Sequence, residues 1–478
     1  MLAVLAVLIA GTGLPVWVLL IGVASASAAL GVAGGVIDPG VLGALYPRTV
    51  NLLDHDLLQA MPLYVFIGVL LQKLPVADAL FRCLARVLRV TGTGGPLAGL
   101  ATGALVAPMN GSVASSSALL SRLVAPRLRT MPPARAIALV AAAATIGVVV
   151  PPSLVLLLLG DAMLRAHTEA GNLAPAAFAG QRVVNTQDIL HAALLPAIAV
   201  LLLWAVVAWV QGRTRDARAR EEAAPLPRRD LVLGTSAMAG VLVLLAGVFT
   251  GRLLAVEGAA TAGCLLALLA ALSRALDGAA WRAVLEDTLA LAGALFALLV
   301  GATTFSLVLG MFGTGPWLAE AALDSHASAL LPLAMVGACA WVLDAFELIF
   351  VIVPVVAPVL VLKLGDAQQA AVLLLLVLQA GFLLPPLGYA VLMARATAGV
   401  PSVRTGALLR AVAPYLAAQL AVGATVFLFP AFVHQLDGPA AAAPVQLQSE
   451  EEVKQRMREM GPPPDAEDAP PPGAPPGH

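Results

Sequence analysis

Apolar residues run through most of this chain in stretches of helix length rather than in the alternation of half-buried strands. HAALLPAIAVLLLWAVVAWV and LVLGTSAMAGVLVLLAGVFT each continue for about 20 residues, enough for a helix to cross about 30 Å of hydrocarbon. The pattern predicts helices over 2–31 with an interruption at GTGLP, over 57–72, 191–210, 231–249, 253–273 and 286–310, and a closing span over 409–433. Alternating strands of barrel length are absent from the sequence, which excludes an outer-membrane barrel. Residues 76–90 differ, because ADALFRCLARVLRV sets Arg82, Arg86 and Arg89 opposite Leu80, Leu84 and either Val87 or Leu88. That is the pattern of a helix lying along the membrane interface, or equally of a cytoplasmic helix end with positive flanks. Residues 162–190 are polar enough to predict an insertion outside the membrane.

Two regions fit neither a simple span nor a loop. GPLAGLATGALVAPMNGSVASSSALLSRLVAPRLRT, residues 95–130, has a polar, small-residue centre between two apolar arms, each too short to cross. LLPLAMVGACAWVLDAFELIFVIVPVVAPVLVLKLG in the second half repeats that form, and its second arm ends in VVAPVL where the first has LVAPRL. Both predict helical hairpins that enter the membrane and turn back, with the non-helical tip buried in protein.

A long apolar run follows each hairpin, and each is interrupted by Gly-x-x-x-Pro-Pro: Gly147 to Pro151 and Pro152, then Gly381 to Pro385 and Pro386. A proline pair removes two backbone donors and clashes with the preceding turn, so both helices must stop or kink and leave carbonyls that lipid cannot satisfy. The motifs lie 234 positions apart, residue 151 to residue 385, and the same offset carries Asn110 onto Asp344. Polar tip and broken helix therefore recur at one spacing, the mark of a duplicated transporter fold. The first copy is placed at about 57–210 and the second at about 286–433, within a membrane domain of residues 1–435.

Composition agrees: 60% of residues are hydrophobic and 12% charged, with a mean hydropathy of +0.93, above the roughly 45 to 50% apolar content of soluble domains. The start, MLAVLAVLIAGTGLPVWVLLIG, lacks a basic leading region and predicts a retained helix rather than a signal peptide. The segment 211–230 gathers Arg213, Arg215, Arg218, Arg220, Arg228 and Arg229, which places it in the cytoplasm. Residues 436–478 are charged and then proline-rich, the composition of a disordered tail. Cys83, Cys264 and Cys339 are scattered and set no disulfide frame, and no histidine has zinc-ligand spacing. A P-loop and a nucleophile elbow are both missing from the sequence, so neither ATP hydrolysis by that route nor that kind of catalysis is expected, and nothing points to nucleic acid.

Candidate chemistry concentrates at the tips and breaks. Asp344 and Glu347, three apart, are expected on one helical face, where charge at mid-bilayer costs about 2.5 to 3.5 kcal/mol on insertion scales. They are read as a cation or substrate pathway, against a structural role bonding the hairpin tip. Asn110, Gly111 and Ser112, with Ser115, Ser116 and Ser117, form the matching neutral tip of hard oxygen donors. The competing reading of the serines is close helix contact through small side chains. Thr145 and Gln379 fall at equivalent positions, two before each motif glycine, and either contact a ligand or repair freed carbonyls.

The order of these features resembles the large membrane subunit of tripartite ATP-independent periplasmic (TRAP) transporters, and more loosely the ion transporter superfamily. The resemblance rests on TGLPVWVLLIG, LLQAMPLYVFIGVLLQ, the serine-rich hairpin, TIGVVVPPSLVLLLLGD, GATTFSLVLG, LDAFELIFVIVPVVAPVL and LQAGFLLPPLGYAVLMARATAGV, and covers nearly the whole membrane part. Within the family the segments look most like the subgroup labelled mannitol or chloroaromatic compound transport. It implies an all-helical, multi-pass protein of the bacterial inner membrane with inverted repeats, moving by an elevator of hairpins and broken helices against a scaffold. It also implies sodium ions as the coupling ion, an organic acid as small-molecule substrate, a small membrane subunit and a periplasmic solute-binding protein as partners. The resemblance implies a first sodium site at Asn110, Gly111, Ser112 and Thr145 to Gly147. The second falls at Asp344, Glu347 and Gln379 to Gly381, with Ser115 to Ser117 near the substrate. NGSVASSS stands where the family more often has Gly-Ser-Ser. A stand-alone carrier of the same superfamily is the alternative, and a membrane-embedded enzyme a remote one.

Overall fold

The computed structural model describes residues 2–53, 56–88, 93–110, 112–124, 131–151, 153–178, 183–213, 227–313, 329–341, 343–385, 388–397 and 403–436. Residues 437–478 of the expected tail and most of 211–230 lie outside these residues. Two helices open the chain, α1 (Leu2–Thr12) and α2 (Val16–Ala33), separated where Pro15 lacks an N–H to continue the first. After α3 (Leu45–Leu53) comes α4 (Asp56–Lys73), from which α5 (Val76–Leu88) turns by 70°. The predicted amphipathic stretch is α5: Ala77, Leu80, Phe81 and Cys83 are buried, and Arg82 pairs with Asp230 at 3.1 Å.

The first hairpin is α6 (Gly94–Asn110) and α7 (Val113–Val124). The first broken helix follows as α8 (Pro133–Val149) and α9 (Leu154–Leu173), bent by 43° at the proline pair. Ser153 opens α9 by accepting the N–H of Leu156 at 3.0 Å. The structure corrects the expected insertion at 162–190. Helix α9 runs on to Leu173 because Met163, Ala166, His167 and Ala170 form a buried face, while Arg165, Thr168 and Glu169 lie on the exposed one. A short α10 (Pro175–Phe178) precedes the long span α11 (Thr186–Gly212), and α12 (Arg228–Phe249), α13 (Ala255–Leu272) and α14 (Gly278–Met311) come next.

The second hairpin comprises α15 (Leu330–Cys339) and α16 (Ala345–Leu364), and the second broken helix α17 (Ala367–Leu383) and α18 (Tyr389–Thr397), before the closing α19 (Thr405–Leu428). The second arm of this hairpin is 20 residues long, not the short arm expected, yet 72% of it is buried, against 33 to 39% for α2, α11, α14 and α19. It therefore packs inside protein rather than facing lipid. Among the described residues six helices are long and apolar enough to cross a membrane, or up to eight if each bent pair is one span.

Contacts pair the two halves reciprocally. Helix α6 packs on α8 as α15 packs on α17; α7 packs on α18 as α16 packs on α9; and α8 meets α17 at the centre. Each hairpin thus touches both the broken helix of its own half and the outer segment of the other. Around this body lie α2, α4, α5, α12, α13 and α14, with α14 against α2 and α4, α13 against α4 and α12 against α5.

Candidate transport site at the hairpins and broken helices

The two broken helices meet at the residues that the common spacing singled out. Gln379 Nε2 donates to the Thr145 carbonyl at 3.2 Å, and both residues are fully buried. Gln419 of α19 completes the crosspiece, its Nε2 donating to Gln379 Oε1 at 2.7 Å and to the Leu376 carbonyl at 3.1 Å. The Thr145 hydroxyl returns to Ala142 O at 2.9 Å. The Gln379 amide therefore fastens the second broken helix to the first, a bond strengthened by its burial. Sequence reasoning missed Gln419, which has no counterpart in either motif.

Glycine sets how closely each hairpin approaches its broken helix. A Cβ on Gly147 would stand 2.4 Å from the carbonyl carbon of Ala107 and 2.7 Å from Pro108 N in α6; on Gly381 it would stand 2.5 Å from Ala340 Cβ and 2.8 Å from Gly337 O beside α17. Gly103 and Gly337 continue both seams one turn further out: a Cβ would meet Ala143 O at 2.5 Å and Val377 Cγ1 at 3.2 Å respectively. These two glycines also lie 234 positions apart, so the signal was present in the sequence but was not used. At the second break, the Leu384 N–H donates to Gly381 O at 3.2 Å, absorbing the carbonyl that Pro385 leaves free, and the Gly388 N–H donates to Leu384 O at 2.9 Å. At the first, Val150 N–H donates to Ile146 O at 3.1 Å. Pro151 and Pro385 are buried at these ends, while Pro152 and Pro386 lie outside the described residues.

At the second tip the structure corrects the expectation of one helical face. Asp344 has φ −74° and ψ 168°, an extended residue preceding the helix, and the Glu347 carboxylate reaches back to accept its backbone N–H at 3.0 Å. Asp-x-x-Glu before an apolar run is a helix-start signature, so this too was legible. Immediately beyond Glu347, residues Leu348–Ile352 form a π-helical segment, placed before Pro354, a residue with no N–H for an α-helical bond. Asp344 Oδ1 is buried and, among the described residues, has no hydrogen-bond partner; the same holds for Trp341 Nε1. Tyr389, at the start of α18, lies within electrostatic reach of both carboxyls. A buried anionic oxygen with no donor is costly unless a cation or a bound group completes it.

The first tip is less described: the Asn110 side chain and Gly111 lie outside the described residues, and Asn110 ends α6. Ser112 is partly buried, and its carbonyl accepts the Ser116 N–H at 3.0 Å. Ser115 Oγ accepts from Gln72 Nε2 of α4 at 2.7 Å, and Ser117 Oγ is buried without a partner among the described residues. The three serines thus point to different surroundings: Ser115 ties the hairpin to α4, whereas Ser117 keeps an uncommitted hydroxyl.

With this geometry in place, comparison with known proteins is decisive for the family. The family model described as "Tripartite ATP-independent periplasmic transporter, DctM component" matches residues 2–432. The chain belongs to this family. It is thus a membrane component of a solute transporter in a tripartite system, a multi-pass helical protein rather than a member of an enzyme family. No curated protein sequence matches it. Among solved structures, the YdaH transporter of Alcanivorax borkumensis, described as having an unusual topology, is similar with a TM-score of 0.58 at 17% identity, over 87% of this chain and 97% of that one. At that identity the likeness concerns the fold.

Proposed function

We propose that this DctM component imports a small organic acid across the bacterial inner membrane, driven by a sodium gradient, beside a small membrane subunit and supplied by a periplasmic binding protein. The observation that carries the ion coupling is the buried, unpartnered Asp344 Oδ1 at a helix start that the Glu347 carboxylate already caps. Carboxylate and carbonyl oxygens suit a hard cation such as sodium. The second ion site comprises Asp344, Glu347 and the turn at Gln379 to Gly381; the first comprises Asn110, Gly111, Ser112 and the turn at Thr145 to Gly147. Ser117 adds a hydroxyl toward the substrate.

Residues 57–210 and 286–433 are two copies of one unit in inverted orientation. The reciprocal contacts of hairpins and broken helices, and the Gln379 to Thr145 bond, favour their movement as one elevator body against α2, α4, α13 and α14. The segment 211–230 faces the cytoplasm.

The test is reconstitution of the chain with its small subunit in proteoliposomes, using the binding protein loaded with the solute that copurifies with it. An inward sodium gradient is expected to drive uptake of that solute, and an equal potassium gradient is not. Uptake by the chain alone would replace the tripartite reading with a stand-alone carrier; uptake unaffected by sodium would end the coupling assignment.

A further inference from the structure

A cavity with charged and hydroxyl side chains in its wall lies away from the tips. It occupies about 220 Å³ between α9, α14 and α16, and runs from Arg165 on α9 to Ile349 and Phe350, one turn beyond Glu347. Chain direction puts it on the opposite side of the membrane from segment 211–230: α9 leads outward from the break, and α14 reaches the same side at Met311. On a sodium-coupled importer this is the side from which solute arrives.

Its polar wall is organised around one guanidinium. Arg165 Nη2 donates to Asp161 Oδ2 at 2.7 Å; Asp161 is 8% exposed, whereas the Arg165 side chain is 49% exposed. The buried carboxylate therefore fixes one edge of the fork, and the half-exposed guanidinium, which lines the cavity, has further N–H donors beyond that bond. Thr303 and Ser306 of α14 also line the cavity, three residues apart and on one helical face. Neighbouring Thr304 returns its hydroxyl to Val300 O at 2.8 Å, but among the described residues neither Thr303 nor Ser306 has a protein partner. Glu169, at the exposed end, is itself engaged by a neighbouring group. A guanidinium held at one edge and two hydroxyls in the same cavity wall are donors that suit a carboxylate. Ile349 and Phe350 at the far end follow Glu347 by two and three residues in the chain.

We infer that this cavity is an entry subsite for the carboxylate of the solute, with Arg165 as the recognising cation, Thr303 and Ser306 as hydroxyl donors and Asp161 as the residue that positions the guanidinium. The inference rests on the reading of the solute as an organic acid, and it supplies the cationic group that the hairpin tips lack.

Charge-selective labelling tests it. Ala162→Cys, a small change in the cavity wall, is introduced into the chain with Cys83, Cys264 and Cys339 replaced by alanine. Rates of modification by anionic 2-sulfonatoethyl and cationic 2-(trimethylammonio)ethyl methanethiosulfonate are compared, each relative to its rate with free cysteine. The normalised rate is expected to favour the anionic reagent. Arg165→Gln should lower that preference about tenfold, the effect of one charge a few ångströms away in a partly hydrated cleft. Arg165→Lys should retain it. The double variant Asp161→Asn, Arg165→Gln, which leaves no unpaired buried charge, should lose it as the single variant does, guarding against a folding defect. Millimolar succinate should slow labelling of the Arg165 protein, while chloride of equal ionic strength should not. Preference for the cationic reagent, a preference that Arg165→Gln leaves unchanged, or failure of succinate to protect would overturn the assignment. The assay needs neither a gradient nor a binding protein, so its result is independent of the uptake experiment.

Discussion

Replacing Gly147 by alanine tests the close seam between the first hairpin and the first broken helix. The new methyl would lie 2.4 Å from Ala107 C, 2.6 Å from Ala107 O and 2.7 Å from Pro108 N. Ordinary carbon contacts begin near 3.5 Å, so α6 must retreat by about 1 Å along its seam. All three atoms are backbone, and no rotamer change can relieve them. Overpacking of this kind costs about 1 to 3 kcal/mol, and an immobile backbone neighbour puts Gly147→Ala at the upper end. Alanine recovers about 1 kcal/mol of helix propensity, leaving a net loss of about 2 kcal/mol. Gly293→Ala on the exposed face of α14 is the control, because nothing lies within 4 Å of its added carbon. It should gain up to about 1 kcal/mol. The assay is the apparent midpoint of thermal unfolding in one detergent at one scan rate, followed by tryptophan fluorescence. Gly147→Ala should fall below the parent and Gly293→Ala should not. Equal midpoints for the two variants would refute the packing argument.

Three further outcomes follow from the same structure. Gln379→Leu strips the Thr145 carbonyl and Gln419 of their partner and should destabilise by about 2 to 3 kcal/mol on the same assay; with Gln419→Leu the double variant should lose less than the sum of the singles. Arg82→Ala should cost less than about 1 kcal/mol, because its bridge to Asp230 is partly exposed, and the difference should shrink in high salt. N-ethylmaleimide in detergent should modify exposed Cys264 ahead of buried Cys83, by mass spectrometry of the peptides.

Much of the fold was legible because the signals were backbone signals. Proline pairs and apolar length fix where helices break whatever their neighbours, and the breaks at 147–151 and 381–385 appear where the sequence put them. The polarity of 162–173 misled because composition averages over a helix, whereas burial acts on one face; Met163, Ala166 and Ala170 are enough to hold α9 in the protein. The Asp344 to Glu347 pair misled for a different reason. Three-residue spacing describes a face inside a helix but a cap at its start, and only the extended backbone at Asp344 distinguishes them. Gln419 and Gln72 stayed hidden because their roles depend on partners distant in sequence, as the separation of Gln379 from Thr145 by 234 residues also shows.

Sodium binding by the purified chain, without any solute, tests the central assignment most directly. Binding of radioactive sodium is measured by scintillation proximity on the parent and on Asp344→Asn, with folding checked by the unfolding midpoint. The account predicts saturable binding by the parent that potassium does not displace, and a lower sodium stoichiometry in a folded Asp344→Asn protein, which loses the second site and keeps the first. Unchanged sodium binding by that variant, or no saturable binding by the parent, would contradict it.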